Sequence, residues 1–152
     1  MDKIDQHIIR ELQQNGRLTN NELASRVHLS PSPCLRRVRN LEQAGIIVGY
    51  AALIDQKAYG LPVTVFIRIK LELHNKEAVR VFEERLGEID EILDCYLMAG
   101  DSDYLLRVII ANLEAYETFI REKIHPIPAI SSIDTSFAYG TLKRNRAFAK
   151  VI

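Results

Sequence analysis

The chain has 152 residues, 47% apolar and 26% charged, and its 20 Lys and Arg balance its 20 Asp and Glu. That length allows one domain or two small ones, and the composition is that of ordinary globular material. No run approaches the roughly 18 apolar residues of a membrane span, and the first residues lack a signal peptide's apolar core, so a cytoplasmic protein is expected. Cys34 and Cys95 stand far apart without CxxC or Cys/His spacing, which suggests neither a disulfide framework nor a zinc site and reads as two small core residues.

From Asp2 to Asn15, Ile4, Ile8, Ile9 and Leu12 recur at helical spacing, and Gly16 ends the pattern. Thr19-Asn20-Asn21-Glu22 is a capping box that opens a short helix with Leu23, Ala24 and Val27 inward. The stretch from Leu29 to Gly45 says most. It starts with Ser-Pro twice, an N-cap side chain followed by a proline whose missing N–H is no loss at the first helical position. It stops at Gly45, which tolerates the left-handed conformation past a helix end. At about 100° per residue, Cys34, Leu35, Val38 and Leu41 share one side of this helix. Ser32, Arg36, Asn40 and Gln43 lie opposite, flanked by Arg37 and Arg39. One side packs on a core; the other offers guanidinium and amide groups of the kind that read bases and phosphates. The turn from Val27 to Ser32 is short, so the second and third helices must cross steeply, as in a helix-turn-helix. The apolar, β-prone run from Ile46 to Ile54 is expected to form a wing or connecting strand.

Charge is distributed unevenly but mildly. Up to Tyr50 there are seven basic and five acidic residues, and the remainder holds thirteen against fifteen. An excess of two attracts DNA only weakly by counterion release, so useful affinity calls for two or more copies on repeated half-sites.

The second half reads as a different domain. Val63, Val65, Ile67, Ile69, Leu71 and Leu73 alternate with Thr64, Phe66, Arg68, Lys70 and Glu72, the pattern of a half-buried strand. A helix from Asn75 to about Leu86 follows, then strands near Ile92 to Ala99 and Tyr104 to Ala111, a helix from about Asn112 to Ile124, and a strand from about Ile130 to Tyr139. The order βαββαβ predicts a ferredoxin-like sandwich, with helices on one face of an antiparallel sheet. On the other face Phe66, Tyr96, Met98, Leu105 and Ile109 are too apolar for open solvent, so that face is expected to meet a second subunit.

No catalytic set is apparent. His7, His28, His74 and His125 are scattered, and there is no glycine-rich phosphate loop or metal-spaced cluster, so neither an enzyme nor a cofactor is expected.

Across both halves the chain resembles the Lrp/AsnC family, the feast/famine transcriptional regulators. The carriers in the first half are Asp5 with Ile8-Ile9 and Leu12-Gln13, Asn15-Gly16-Arg17, Glu22-Leu23-Ala24, Leu29 to Cys34, Arg37-Val38, Leu41-Glu42 and Gly45-Ile46-Ile47. In the second half they are Gly100-Asp101-Ser102-Asp103-Tyr104-Leu105 and Thr135-Ser136-Phe137 with Lys143. The resemblance implies an α+β chain, a winged helix-turn-helix over 1–50, a linker strand or hinge over 51–61, a ferredoxin-like effector and dimerisation domain over 62–143 and a tail over 144–152. It also implies homodimers that assemble to tetramers or octamers, double-stranded DNA as partner and an amino acid as effector. Amino-acid metabolism or transport genes would be the targets.

Ser32, Arg36 and Asn40 are expected at base edges and Arg37 and Arg39 at phosphates, with Ser30 and Pro33 beside them at the start of the helix. Carried over by position, the turn from Gly100 to Tyr104 lines the effector cleft. A glycine-bearing turn can expose N–H donors to a carboxylate, while Asp101 and Asp103 can accept from an ammonium. Met98, Tyr104, Thr135 and Ser136 complete the expected set. After Lys143 the chain departs from the family's usual threonines and Leu-Pro pair, reading Arg144-Asn145-Arg146-Ala147-Phe148-Ala149-Lys150. Two other readings stay open: an architectural DNA-wrapping protein that needs no ligand, and an amino-acid-binding regulatory subunit of an enzyme.

Overall fold

The computed structural model describes residues 1–72, 75–145 and 147–149. Leu73, expected to close the first strand's apolar face, lies outside the described residues, as do His74, Arg146 and Lys150. The chain divides into two units, Met1–Leu53 with Leu142–Ile152, and Ile54–Thr141.

The first unit holds α1 (Lys3–Gln14), α2 (Asn20–Arg26) and α3 (Pro31–Gln43) around Ile8, Leu23, Ala24, Val27, Cys34 and Leu41. Capping boxes open the first two helices, Asp2 with Asp5 and Thr19 with Glu22. The turn into α3 is made by His28, at φ 57°, after which the Leu29 N–H returns to the Ala24 carbonyl at 2.9 Å. This closes α2 in the way a glycine usually does. Ser30 is the N-cap of α3 and Pro31 its first residue, but the Ser30 hydroxyl makes no capping bond. Gly45, at φ 67°, ends α3, and the Ile46 N–H bonds the Leu41 carbonyl at 3.0 Å.

Two expectations fail here. Ile46 to Ile54 forms no strand, and neither does 51–61. A strand needs a neighbour to take its backbone groups, and none pairs with this run among the described residues, so Val48, Leu53 and Ile54 stay exposed. Tyr50 instead donates its hydroxyl to Glu42 Oε1 at 3.0 Å, and the segment closes with a turn in which the Tyr59 N–H bonds the Asp55 carbonyl at 2.9 Å. Leu35, expected on the packed side of α3, is also exposed, because it sits at the margin of a narrow apolar stripe.

The second unit runs β1 (Val63–Leu71), α4 (Lys76–Gly87), β2 (Ile92–Leu97), β3 (Tyr104–Ile110), α5 (Leu113–Phe119) and β4 (Ile130–Phe137). The sheet order is β2-β3-β1-β4, with every pairing antiparallel. This is the ferredoxin-like arrangement. Asn75 caps α4 and Asn112 caps α5 through their side-chain oxygens. The helix expected to run to Ile124 changes character at Ile120, continuing as a π-turn over Ile120–Ile124. With its wider turn, Phe119 and Ile124, five residues apart, both enter the core.

Val65, Ile67, Ile69 and Leu71 of β1 and Tyr104, Leu106, Val108 and Ile110 of β3 meet Phe82 and Leu86 of α4 there. The opposite face carries Phe66, Leu105, Ile109, Tyr96 and Met98, together with the Arg107–Asp94 ion pair. Cys34 is buried as expected, but Cys95 is exposed, because β2 is an outer strand with one side unpaired.

Candidate DNA-reading helix and ligand cleft

In the first unit the helices are pinned by ion pairs that leave one face of α3 clear. Arg37 Nη1 donates to Asp2 Oδ2 at 2.7 Å and to Asp5 Oδ1 at 2.8 Å, clasping the first turn of α1 to the middle of α3. The Asp5 N–H and the Arg37 guanidinium hold the Asp2 carboxyl below its ordinary value. Arg26 donates to Glu11 Oε2 at 3.0 Å and ties α2 to α1. The amide of Asn20 donates to the Pro31 carbonyl at 2.8 Å and fixes where α3 begins.

Ser30, Ser32, Arg36, Arg39 and Asn40 are exposed, and neither Arg36 nor Arg39 has an acidic partner among the described residues. Ser32, Arg36 and Asn40 follow at intervals of four, so they form one ridge, with Pro33 half-buried beside it. Arg37, expected with Arg39 at phosphates, differs from it in being engaged inside the unit. It lies four residues before the buried Leu41, on the side facing α1, and its guanidinium is engaged by two carboxylates.

In the second unit a cleft of about 470 Å³ opens on the sheet face away from the helices, lined by Arg68 and Lys70 of β1, Ser132 and Asp134 of β4, and the turn from Met98 to Ser102. Register explains the grouping, since Arg68 stands opposite Asp134 and Lys70 opposite Ser132. Arg68 Nη1 donates to Asp134 Oδ2 at 3.1 Å and lies 3.5 Å from Ser136 Oγ. Gly100 takes φ 146°, a conformation costly for any side chain. The turn is fastened to β1 at both ends of Asp103: its N–H bonds the Ile69 carbonyl at 2.9 Å, and its Oδ2 accepts the Leu71 N–H at 2.7 Å. That N–H sits where the pairing of β1 with β4 shifts register, so the carboxylate satisfies a donor at the irregularity.

Of the seven residues expected around the effector, the fold brings Met98, Gly100 and Asp101 into the cleft. Ser136 lies on the same face, and Asp103 supports the turn from beneath. Tyr104 and Thr135 belong to the other face, where period-two alternation puts them with the core. The Tyr104 hydroxyl donates to Glu83 at 2.9 Å; burial and that carboxylate push its pKa up to about 12. Thr135 Oγ1 lies 2.6 Å from the Tyr116 hydroxyl. The expected set is therefore divided between the two faces of the sheet. Ser102 enters with the expected turn, whereas Arg68, Lys70, Ser132 and Asp134 of the lining were not anticipated. Arg68 and Lys70 were legible as the polar face of a strand, but their partners on β4 depend on register.

A helix-turn-helix with one clear polar face, joined in one chain to a ferredoxin-like unit with a charged cleft, defines a two-part DNA-binding regulator. Residues 1–48 match the family model for winged helix-turn-helix DNA-binding, and residues 64–148 match that for the Lrp/AsnC ligand binding domain. The Bkd operon transcriptional regulator of Pseudomonas aeruginosa is 38% identical over 91% of this chain and 90% of its own length. The leucine-responsive regulatory protein of Escherichia coli is 36% identical over 95% and 88%. Among solved structures, a transcriptional regulator from Neisseria meningitidis in complex with L-Met superposes with a TM-score of 0.93 at 36% identity, covering 98% of this chain and 96% of that one. The chain belongs to the Lrp/AsnC family of transcriptional regulators.

Proposed function

We propose that this regulator answers to an amino acid held in the cleft between β1, β4 and the Met98 to Ser102 turn, and that it has no catalytic role. The observation that carries this is the balanced charge of the lining, Arg68 and Lys70 against Asp101 and Asp134, around a glycine turn. Asp134 is already matched by Arg68 at 3.1 Å. Lys70 and Asp101 are left for a zwitterion, the lysine for its carboxylate and the aspartate for its ammonium. The relative solved with L-Met supports an amino acid as the class.

At the DNA end, Ser32, Arg36 and Asn40 approach base edges, while Arg39, with Ser30 at the helix start, meets phosphates. Two copies pair through the open sheet face, where Tyr96 and Met98 are 52% and 40% exposed and Phe66, Leu105 and Ile109 lie beside them. Such apolar surface calls for a partner. The protein acts in the cytoplasm on genes of amino-acid metabolism or transport.

The test is a thermal-shift screen of the DNA-free protein against the twenty amino acids at millimolar concentration. A ligand at 100 times its Kd stabilises by about 2.7 kcal/mol, which is readily resolved. A hit whose binding is weakened by both Lys70→Gln and Asp101→Asn supports the cleft. No hit, or a hit indifferent to both substitutions, refutes it.

A further inference from the structure

Counted along the sequence, the helix-turn-helix segment carries a net charge of only +2. The fold changes that count. After β4 the chain rejoins the first unit, so that Leu142–Ile152 groups with Met1–Leu53. The Phe148 N–H donates to Gln13 Oε1 on α1 at 3.1 Å. The returning segment contains no acidic residue. Lys143 and Arg144 are exposed and form no ion pair among the described residues. With these two the unit holds nine basic residues against five acidic, and the sequence adds Arg146 and Lys150, giving eleven against five, a net +6. Residues 54–141 hold the other nine basic and fifteen acidic residues, a net −6. A formally neutral chain is thus divided into a cationic and an anionic unit.

Setting Lys143 and Arg144 onto a unit that is already positive costs self-repulsion unless a polyanion neutralises it. The anchor also falls among unpaired cations. Arg10, one helical turn before Gln13, and Arg17, just past the helix end, have no acidic partner among the described residues. We propose that the C-terminal segment is a phosphate-binding arm of the DNA-binding unit, anchored at Gln13, which grips the DNA backbone without reading sequence. It rests on DNA binding by the helix-turn-helix and extends it to residues outside α3.

The experiment uses the full chain and a random-sequence duplex of about 40 base pairs, with affinity measured by fluorescence anisotropy across a salt series. In the variant Lys143→Gln, Arg144→Gln, Arg146→Gln, Lys150→Gln, the slope of log K against log salt is expected to fall by about 0.9 for each cation that met a phosphate, up to about 3.5 per protomer. Sedimentation should be unchanged. Gln13→Leu keeps every charge and removes the anchor, and is expected to lose part of the same slope. A parental slope in either variant overturns the anchored arm, as does an affinity loss accompanied by altered sedimentation, which would make the segment a subunit contact. A parent protein that binds no duplex at all fails the DNA-binding reading itself, whereas parental binding with unchanged slopes in the variants fails only the arm.

Discussion

Replacing Asp103 by alanine removes the oxygen that accepts the Leu71 N–H at 2.7 Å and leaves a half-buried donor unmatched at the register shift of β1. Hydrogen bonds to charged groups contribute about 1.5–3 kcal/mol. A domain of this size loses about 4–8 °C of melting temperature per kcal/mol, so the expected fall is roughly 6–24 °C. Asp103→Asn keeps an acceptor but not the charge and should fall in between. Asp101, two residues earlier, is exposed at the cleft rim and has no hydrogen bond among the described residues. Asp101→Ala should therefore melt within a few degrees of the parent, as surface substitutions of about ±0.5 kcal/mol do. Its effect should fall on the amino acid instead: losing a charged partner weakens binding by roughly 10- to 150-fold. Calorimetric melts, with titrations of the hit from the amino-acid screen, separate the two. A parental melting temperature in Asp103→Ala would refute the supporting role drawn from its bonds, and parental ligand affinity in Asp101→Ala would remove that residue from the site.

Arg36→Ala should lower the ratio of operator to random-duplex affinity by about 1–3 kcal/mol if its contact with a base is bidentate; an unchanged ratio would exclude a base contact. Arg39→Ala should cut the salt slope by about 0.9 per protomer. Arg37→Ala should leave that slope alone and lower the melting temperature of the first unit by opening the clasp to Asp2 and Asp5. The clasp also sets an acid limit. Asp2 is held below its ordinary value of 3.8 and Glu22, capping α2, below 4.5, so both stabilise fully above those values and lose the contribution as pH falls through the lowered ones. Melts followed by circular dichroism should decline below about pH 4, less steeply in Arg37→Ala, and parallel curves would contradict the assignment. Phe82→Ala, at the centre of the second core, should cost about 3–5 kcal/mol, measured by urea unfolding.

The parts of this fold that local chemistry dictates were legible before any coordinates. Thr19 to Glu22 could hardly be anything but a capping box, and the Val63 to Leu71 alternation anticipated which side chains enter the core. What escaped was set by neighbours distant in sequence. The Ile46 to Ile54 run is apolar and rich in β-formers at Ile46, Ile47, Val48 and Tyr50, but preference without a pairing edge does not make a strand. His28 does a glycine's work in the turn before α3, at a conformation that a lone histidine in a sequence does not advertise. Arg37 and Arg36 are adjacent and chemically identical, and only the crossing of α1 over α3 decides that one guanidinium goes to Asp2 and Asp5 while the other stays free.

The cleft makes the same point through register. On β4, Ser132, Asp134 and Ser136 alternate with Ile133, Thr135 and Phe137, and every second one must share a face with Arg68 and Lys70. The pairing of Arg68 with Asp134 and Lys70 with Ser132 selects the polar series. A slip of one residue would bring Thr135 to the open face and turn Asp134 to the helix-covered face beside Ile67 and Ile69 of β1, taking an unpaired carboxylate out of water. The cost of that burial, more than any property of the loop, fixes which side chains the cleft can offer a ligand. It also explains why Thr135 faces Tyr116.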